Sequence, residues 1–207
     1  MAKALLIEVA SDVICPWCYI GKRRLAKALE RLAGEVEARV EWLPFQLNPA
    51  MPPQGVPRAQ YRRAKFGSLE RSRELDTRIA REGEGEGIQF AFERMERTPN
   101  TIAAHRLIDL AQQRNKAEPV VDALFRAYFE EGRDIGDESV LSQVARECGI
   151  DGWPGASDLG RVARLEAGVR ELGITGVPTF IFDRRSGISG AYPPAELAAA
   201  IRAAVPA

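Results

Sequence analysis

The sequence predicts an α/β fold whose strand-and-helix framework is divided between the two ends of the chain and interrupted by a large all-helical insertion. Three observations predict it. Residues 1–50 read as strand, helix, strand; residues 173–207 read as strand, turn, strand, helix; and residues 51–172, entered through a proline-rich tract, space their apolar residues at helical intervals.

The first element is the β-rich run over residues 4–10, where Glu8 interrupts the apolar residues and no small-residue cleavage pattern follows, so it reads as a strand and not as a leader. The segment Cys15-Pro16-Trp17-Cys18 then opens a helix in which Leu25, Leu29 and Leu32 recur at i, i+4 and i+7, and Gly34 stops it. Residues 36–47 return to an extended pattern with Val36, Ala38, Val40 and Trp42 on one face, until Pro44 breaks the alternation. Residues 48–57 hold four prolines and a glycine and continue neither element, which marks the start of the insertion.

Within the insertion, Asn100 is placed to cap a helix through Leu110. Pro119 starts another with Val121, Leu124, Phe125 and Tyr128 on one face, and Asp137 caps a third that groups Val140, Val144 and Cys148 before Gly149. The tract Gly83-Glu84-Gly85-Glu86-Gly87 is glycine-rich, but its glutamates would repel phosphate, so it reads as a solvated turn. A helical run ends near Leu172. Residues 173–183 form the next strand, a turn is expected at Arg185-Ser186-Gly187, and Ile188 to Tyr192 form a return strand. Pro193 and Pro194 then lead into a final helix over Ala195 to Ala204.

Composition narrows the function. With 29 basic and 29 acidic residues among 207, the net charge does not favour nucleic acid or an anionic membrane, and neither is expected as a partner. No apolar run reaches the roughly 18 to 20 residues of a membrane helix. Three cysteines leave one thiol unpaired, unlike a secreted disulfide scaffold, so a reducing, cytoplasmic location is expected.

The chemistry concentrates in the Cys-x-x-Cys pair. A thiolate attacks a disulfide, and a helix N-terminus supplies free N–H groups and a positive dipole end that favour it. Cys15 stands at that position. Pro16 suits the first helical position, where its missing N–H is not needed. Cys18 lies seven residues before Leu25, on the same stripe, and points inward. Cys15 is therefore read as the nucleophile and Cys18 as the resolving thiol, with closure into a disulfide sterically available. The rival reading is a zinc site of Cys15, Cys18, Cys148 and His105, but zinc knuckles pair two short-spaced couples and here two ligands stand alone on separate helices. No metal is expected. Cys148 reads as a buried small hydrophobe, and His105, flanked by Ile102 and Ile108, as a packed helix residue.

These residues resemble a known group. Residues 11–22, Ser-Asp-Val-Ile-Cys-Pro-Trp-Cys-Tyr-Ile-Gly-Lys, are similar to the active-site segment of the FrnE-like branch of the DsbA family. The resemblance continues through Phe45-Gln46-Leu47-Asn48-Pro49, residues 100–107, residues 124–135 and Gly176-Val177-Pro178-Thr179-Phe180, so it spans nearly the whole chain. It implies a thioredoxin fold split by the helical insertion, with Pro178 a cis-proline facing the cysteine pair and the Val177 backbone an edge for an extended substrate. It also implies that His105 assists near the site, beside Pro16 and Trp17.

The same superfamily contains hydroxychromene-carboxylate isomerases and kappa-class glutathione transferases, which carry a serine where this chain has Cys15. The final strand departs from the family pattern at Ser189-Gly190-Ala191-Tyr192, at the rim of the substrate surface. The expected activity is thiol–disulfide exchange with protein or peptide thiols. It needs no cofactor beyond a Cys15–Cys18 disulfide, with glutathione open as co-substrate. A glutathione-dependent isomerase or transferase acting on an aromatic or polyketide-like molecule is the alternative, and a non-catalytic chaperone or binding module is the third.

Overall fold

The computed structural model describes residues 2–205. Strand β1 (Lys3–Ser11) lies at the centre of a four-stranded sheet. It pairs in parallel with β2 (Val36–Pro44) and antiparallel with β5 (Thr179–Phe182), which in turn pairs antiparallel with β6 (Ser186–Ser189). The parallel step needs a crossover, and helix α1 (Pro16–Arg31) provides it. On one face of the sheet, Leu5, Ile7 and Val9 of β1 pack with Leu25, Ala28 and Leu32 of α1 and with Leu197 and Ile201 of α8 (Pro194–Ala204). Helix α7 (Leu159–Glu171) covers the opposite face, where Val169 meets Ala10 and Phe45. The mixed α/β architecture is the thioredoxin fold with a helical insertion that the sequence predicts.

The segment between β2 and α7 holds α2 (Arg58–Phe66), α3 (Leu69–Glu84), α4 (Ile102–Gln112), α5 (Ala117–Phe129) and α6 (Glu138–Glu147). It is not wholly helical: β3 (Val56–Pro57) and β4 (Arg97–Thr98) form a two-stranded antiparallel ribbon that ties the start of α2 to the loop before α4. Asn100 does act at the start of α4, its Oδ1 accepting from the Ile102 N–H at 3.0 Å. Tyr19 of α1 locks the insertion to the sheet half. It is fully buried, stacks on Phe125 of α5 with ring centroids 4.9 Å apart, and donates its hydroxyl to Glu130. Because the phenol needs that acceptor when buried, one side chain contributes both area and a directional bond.

Three expectations are corrected. The turn between β5 and β6 is at Asp183-Arg184-Arg185, and β6 ends at Ser189 instead of continuing to Tyr192. Asp183 and Arg184 take positive φ of 47° and 57°, a conformation an aspartate tolerates, and Asp183 Oδ1 accepts from the Leu6 N–H at 2.9 Å. The glycine taken as the turn signal, Gly187, sits inside the strand. The tract at Gly83–Gly87 is only partly solvated: Gly83 is buried within α3, and Glu86 accepts from Arg24 Nε at 2.7 Å and from Lys27 Nζ at 2.6 Å.

The third correction concerns Cys148. It is half-buried at the C-terminal cap of α6, with its thiol donating to the Pro119 carbonyl at 3.6 Å. The buried stripe of α6 is Leu141, Val144 and Ala145, which leaves Val140 and Cys148 at its edge.

Candidate active site

The cysteine pair sits where β1 hands over to α1. Ser11 closes the strand, the chain turns with the Cys15 N–H donating to the Asp12 carbonyl at 2.9 Å, and Cys15 becomes the N-cap of α1 with extended backbone. Pro16 takes the first helical position, where its lack of an N–H removes one donor that would have no partner within the helix. The Cys18 N–H donates to the Cys15 carbonyl at 3.0 Å, which fixes the two thiols one turn apart. Both are free thiols in this structure.

Their surroundings differ. Cys15 lines a cleft of about 280 Å³ with Trp17, and Trp17 is one of the large apolar side chains left exposed. Cys18 does not reach that cleft and is 1% exposed. Burial pushes the Cys18 thiol well up from its ordinary value, and the adjacent Cys15 sulfur adds to this; hydrogen bonds to Ser11 and the Asp12 backbone oppose it. The opening of Cys15 is narrower than the sequence implies, since that residue is itself 5% exposed and is reached only through the cleft.

The loop before β5 completes the site from the other end of the chain. The Val177–Pro178 peptide bond is cis, and the Cys15 thiol donates to the Val177 carbonyl at 3.7 Å. The Pro178 carbonyl accepts from the Gly190 N–H at 2.8 Å, and the Thr179 hydroxyl bonds both the Gly176 carbonyl at 2.8 Å and Ser189 Oγ at 2.7 Å. Gly21 on α1 lies against Pro178, where a Cβ would stand only 3.0 Å from Pro178 Cγ. Helix and loop can approach this closely because that Cβ is absent.

His105 is not in the cleft. It is buried on α4, its Nε2 3.3 Å from Oδ1 of the fully buried Asp12, and the other Asp12 oxygen accepts from the Leu47 N–H at 2.7 Å. Asp12 therefore ties the loop after β2 to the cysteine loop and lies against His105 of α4 without a hydrogen bond to it. Ser11 and His105 also border a small cavity of about 10 Å³. The Cys₃His set is not assembled: among the described residues no three His, Cys, Asp or Glu side chains are gathered as a metal-holding group.

Several functional candidates escaped the sequence reading. Arg58, Arg62 and Lys65 of α2 line the cleft with Cys15, and their spacing of four and then three residues is the signal that would have placed them on one helix face. Ser11 and Asp12 carry no such pattern, because their partners are remote in sequence. A larger groove, about 530 Å³, lies on the α7 side of the sheet and contains none of the cysteines.

A family profile for the DSBA-like thioredoxin domain matches residues 6–202. The uncharacterized protein YwbO of Bacillus subtilis is 33% identical over 187 residues, spanning 84% of this chain and 85% of that protein. The crystal structure of a probable DsbA oxidoreductase from Streptomyces coelicolor superposes with a TM-score of 0.86 at 30% identity, covering 97% of this chain and 89% of that one. The cytosolic disulfide reductase DsbM from Pseudomonas aeruginosa, solved with GSH, superposes at a TM-score of 0.66 and 21% identity, covering 96% of this chain and 98% of that one, a likeness of fold.

Proposed function

We propose that this chain, which belongs to the DSBA-like thioredoxin domain family, is a thiol–disulfide oxidoreductase of the FrnE-like kind that works through Cys15 and Cys18. The observation that carries the reading is the unequal setting of the two thiols. Cys15 stands at the N-cap position of a helix and lines a cleft, and Cys18 lies one turn behind it and is buried. In the reducing direction, the Cys15 thiolate attacks one sulfur of a substrate disulfide. A Cys15–substrate S–S bond forms, and the other substrate sulfur leaves as a thiolate that takes a proton from water. Cys18 then loses its proton and attacks the Cys15 sulfur, expelling the second substrate thiol and closing the Cys15–Cys18 disulfide. Two electrons pass from the dithiol to the substrate. The oxidising direction is the same sequence reversed.

Supporting roles follow from position. The Val177 backbone and Pro178 form the edge against which a substrate lies beside Cys15, and Trp17 forms the rim of the cleft. We assign to Asp12 and His105 the support of the cysteine loop, and to Ser11 and the Asp12 backbone the polar surroundings in which Cys18 gives up its proton. In this reading residues 1–50 and 173–207 carry the redox framework, with 51–172 inserted, and the Cys15–Cys18 disulfide is all the reaction requires. Peptide thiols and glutathione are both substrates of the right chemistry, and the similarity in fold to DsbM, whose structure was solved with GSH, supports the second. A cytoplasmic location goes with the unpaired third cysteine and with the cytosolic setting of DsbM.

The test is trapping. An oxygen at position 18 cannot resolve the mixed disulfide, so Cys18→Ser purified under acid quench without reductant is expected to carry adducts on Cys15 that dithiothreitol clears. The Cys15→Ser variant should carry none. Equal trapping by both variants, or adducts on neither, refutes Cys15 as the nucleophile.

A further inference from the structure

The cleft that reaches Cys15 is charged on one side only. Helix α2 presents Arg58, Arg62 and Lys65 to it, and among the described residues no aspartate or glutamate lines it. Both arginines are partly buried and share one carboxylate, that of Asp76 on α3, with Arg58 Nη2 2.8 Å from Oδ2 and Arg62 taking Oδ1. Two guanidinium charges therefore meet one negative charge. Arg62 also donates to Ser72 Oγ at 2.7 Å, which satisfies a hydrogen bond without supplying a countercharge. Lys65 donates to the Tyr61 hydroxyl at 2.7 Å and makes no ion pair among the described residues. Burial lowers the Arg62 pKa and Arg58 adds to this against Asp76, as expected where positive charge outnumbers negative. The chain is neutral overall, so this excess is local.

The remaining walls are mostly apolar and aromatic, including Ile79, Phe92, Met95 and Phe129, with Thr98 and the tyrosines Tyr61 and Tyr128 the hydroxyl-bearing residues among them, and a guanidinium lies over a ring at Arg62–Phe66, 4.3 Å from the centroid. Walls of this kind offer a peptide backbone few hydrogen-bond partners. They suit an aromatic or aliphatic body, with the cations taking an acidic head. The cleft, at about 280 Å³, is close to the lower end of small-molecule pockets, which start at about 300 Å³.

We propose that this cleft binds a small aromatic or otherwise apolar disulfide that carries a carboxylate, with Arg58, Arg62 and Lys65 holding the carboxylate while the sulfur meets Cys15. The proposal rests on Cys15 being the attacking thiol. The step balances as above: the Cys15–Cys18 dithiol is oxidised to its disulfide, and the bound disulfide is reduced to two thiols, with the carboxylate left unchanged.

Rapid-mixing kinetics on the reduced protein test this with three probes: dithiobis(nitrobenzoate), which is aromatic and anionic, and dithiodipyridine, which is aromatic and neutral, both read by the absorbance of the released aromatic thiol; and oxidised glutathione, which is anionic and polar, read by acid quench and alkylation of the remaining protein thiols. Each rate is divided by that of free mercaptoethanol with the same probe. The normalised rate with the aromatic anion should exceed that with the neutral probe by about tenfold or more at low salt, and should also exceed that with oxidised glutathione. Arg62→Gln and Lys65→Met should each reduce the anionic-to-neutral ratio by about tenfold, the equivalent of about 1.4 kcal/mol for one charge-assisted contact. Lys65 is exposed, so its variant carries the test if Arg62→Gln does not fold.

A wild-type ratio near one, or ratios that the substitutions leave as they are, overturns the carboxylate assignment. Faster reaction with oxidised glutathione overturns the apolar body. If neither aromatic probe modifies Cys15 in the native protein although both label it after denaturation, the reading of Cys15 as nucleophile fails, and the proposal fails with it.

Discussion

Replacing Gly21 by valine tests how closely the cysteine helix must approach the Pro178 loop. Helix propensity alone favours the change, because valine is better than glycine in a helix interior by about 0.3 kcal/mol. Packing opposes it. A Cβ at position 21 would lie 3.0 Å from Pro178 Cγ and 3.3 Å from Phe180 Cζ, and valine adds two methyl groups at a buried position. Overpacking of this kind costs about 1–3 kcal/mol, so the steric term wins and the net loss is about 2 kcal/mol.

For a chain of this length that corresponds to a fall of about 4–8 °C in thermal midpoint. Substrate reduction should slow by about tenfold, because the Val177 carbonyl that accepts from Cys15 moves with the loop. The control is Gly168→Ala in α7, where a new Cβ meets nothing within 4 Å. There propensity acts unopposed, and the midpoint should rise, with a gain of about 1 kcal/mol. Urea denaturation and a calorimetric scan of both variants read the result. A Gly21→Val protein as stable as wild type refutes the argument that the missing Cβ sets the approach of α1 to Pro178.

Burial opposes ionisation of Glu86, but Lys27 and Arg24 outweigh it and hold the carboxyl below its ordinary value of 4.5. A depressed folded pKa contributes stability above the unfolded value and loses it as pH falls through the folded one. Glu86→Gln should therefore cost about 1–2 kcal/mol at pH 7, with the difference shrinking below about pH 4.5 in denaturation curves taken across that range. Cys148→Ala should keep disulfide-exchange activity at the wild-type level and lower stability by less than about 1 kcal/mol, since the thiol is half-buried and makes one weak bond. A large loss of turnover in that variant would tie Cys148 to the redox centre.

The parts legible in the sequence are those set by neighbours along the chain. Cys15 and Pro16 mark a helix start because capping and the fixed φ of proline act within a few residues, and α1 begins there. The alignment of Cys18 with Leu25 and Leu32 follows from helical spacing alone, and all three are buried. Where local signals competed, sequence reasoning slipped by one or a few residues. Gly187 drew the hairpin turn away from Asp183-Arg184, and the α6 stripe was phased one residue early, which carried Cys148 inward.

The resemblance implies that Pro178 faces the cysteine pair; the individual contacts between residues far apart in the chain were decided by tertiary structure alone. Asp12 finds Leu47 and His105, Cys15 finds Val177, and Gly21 finds Pro178. The acidic partner of Arg58 and Arg62 comes from α3, so the charge excess over the cleft cannot be read from a composition in which basic and acidic residues balance. Composition sums charge over the whole chain, whereas a ligand meets the few side chains that the fold gathers within a Debye length of about 8–10 Å.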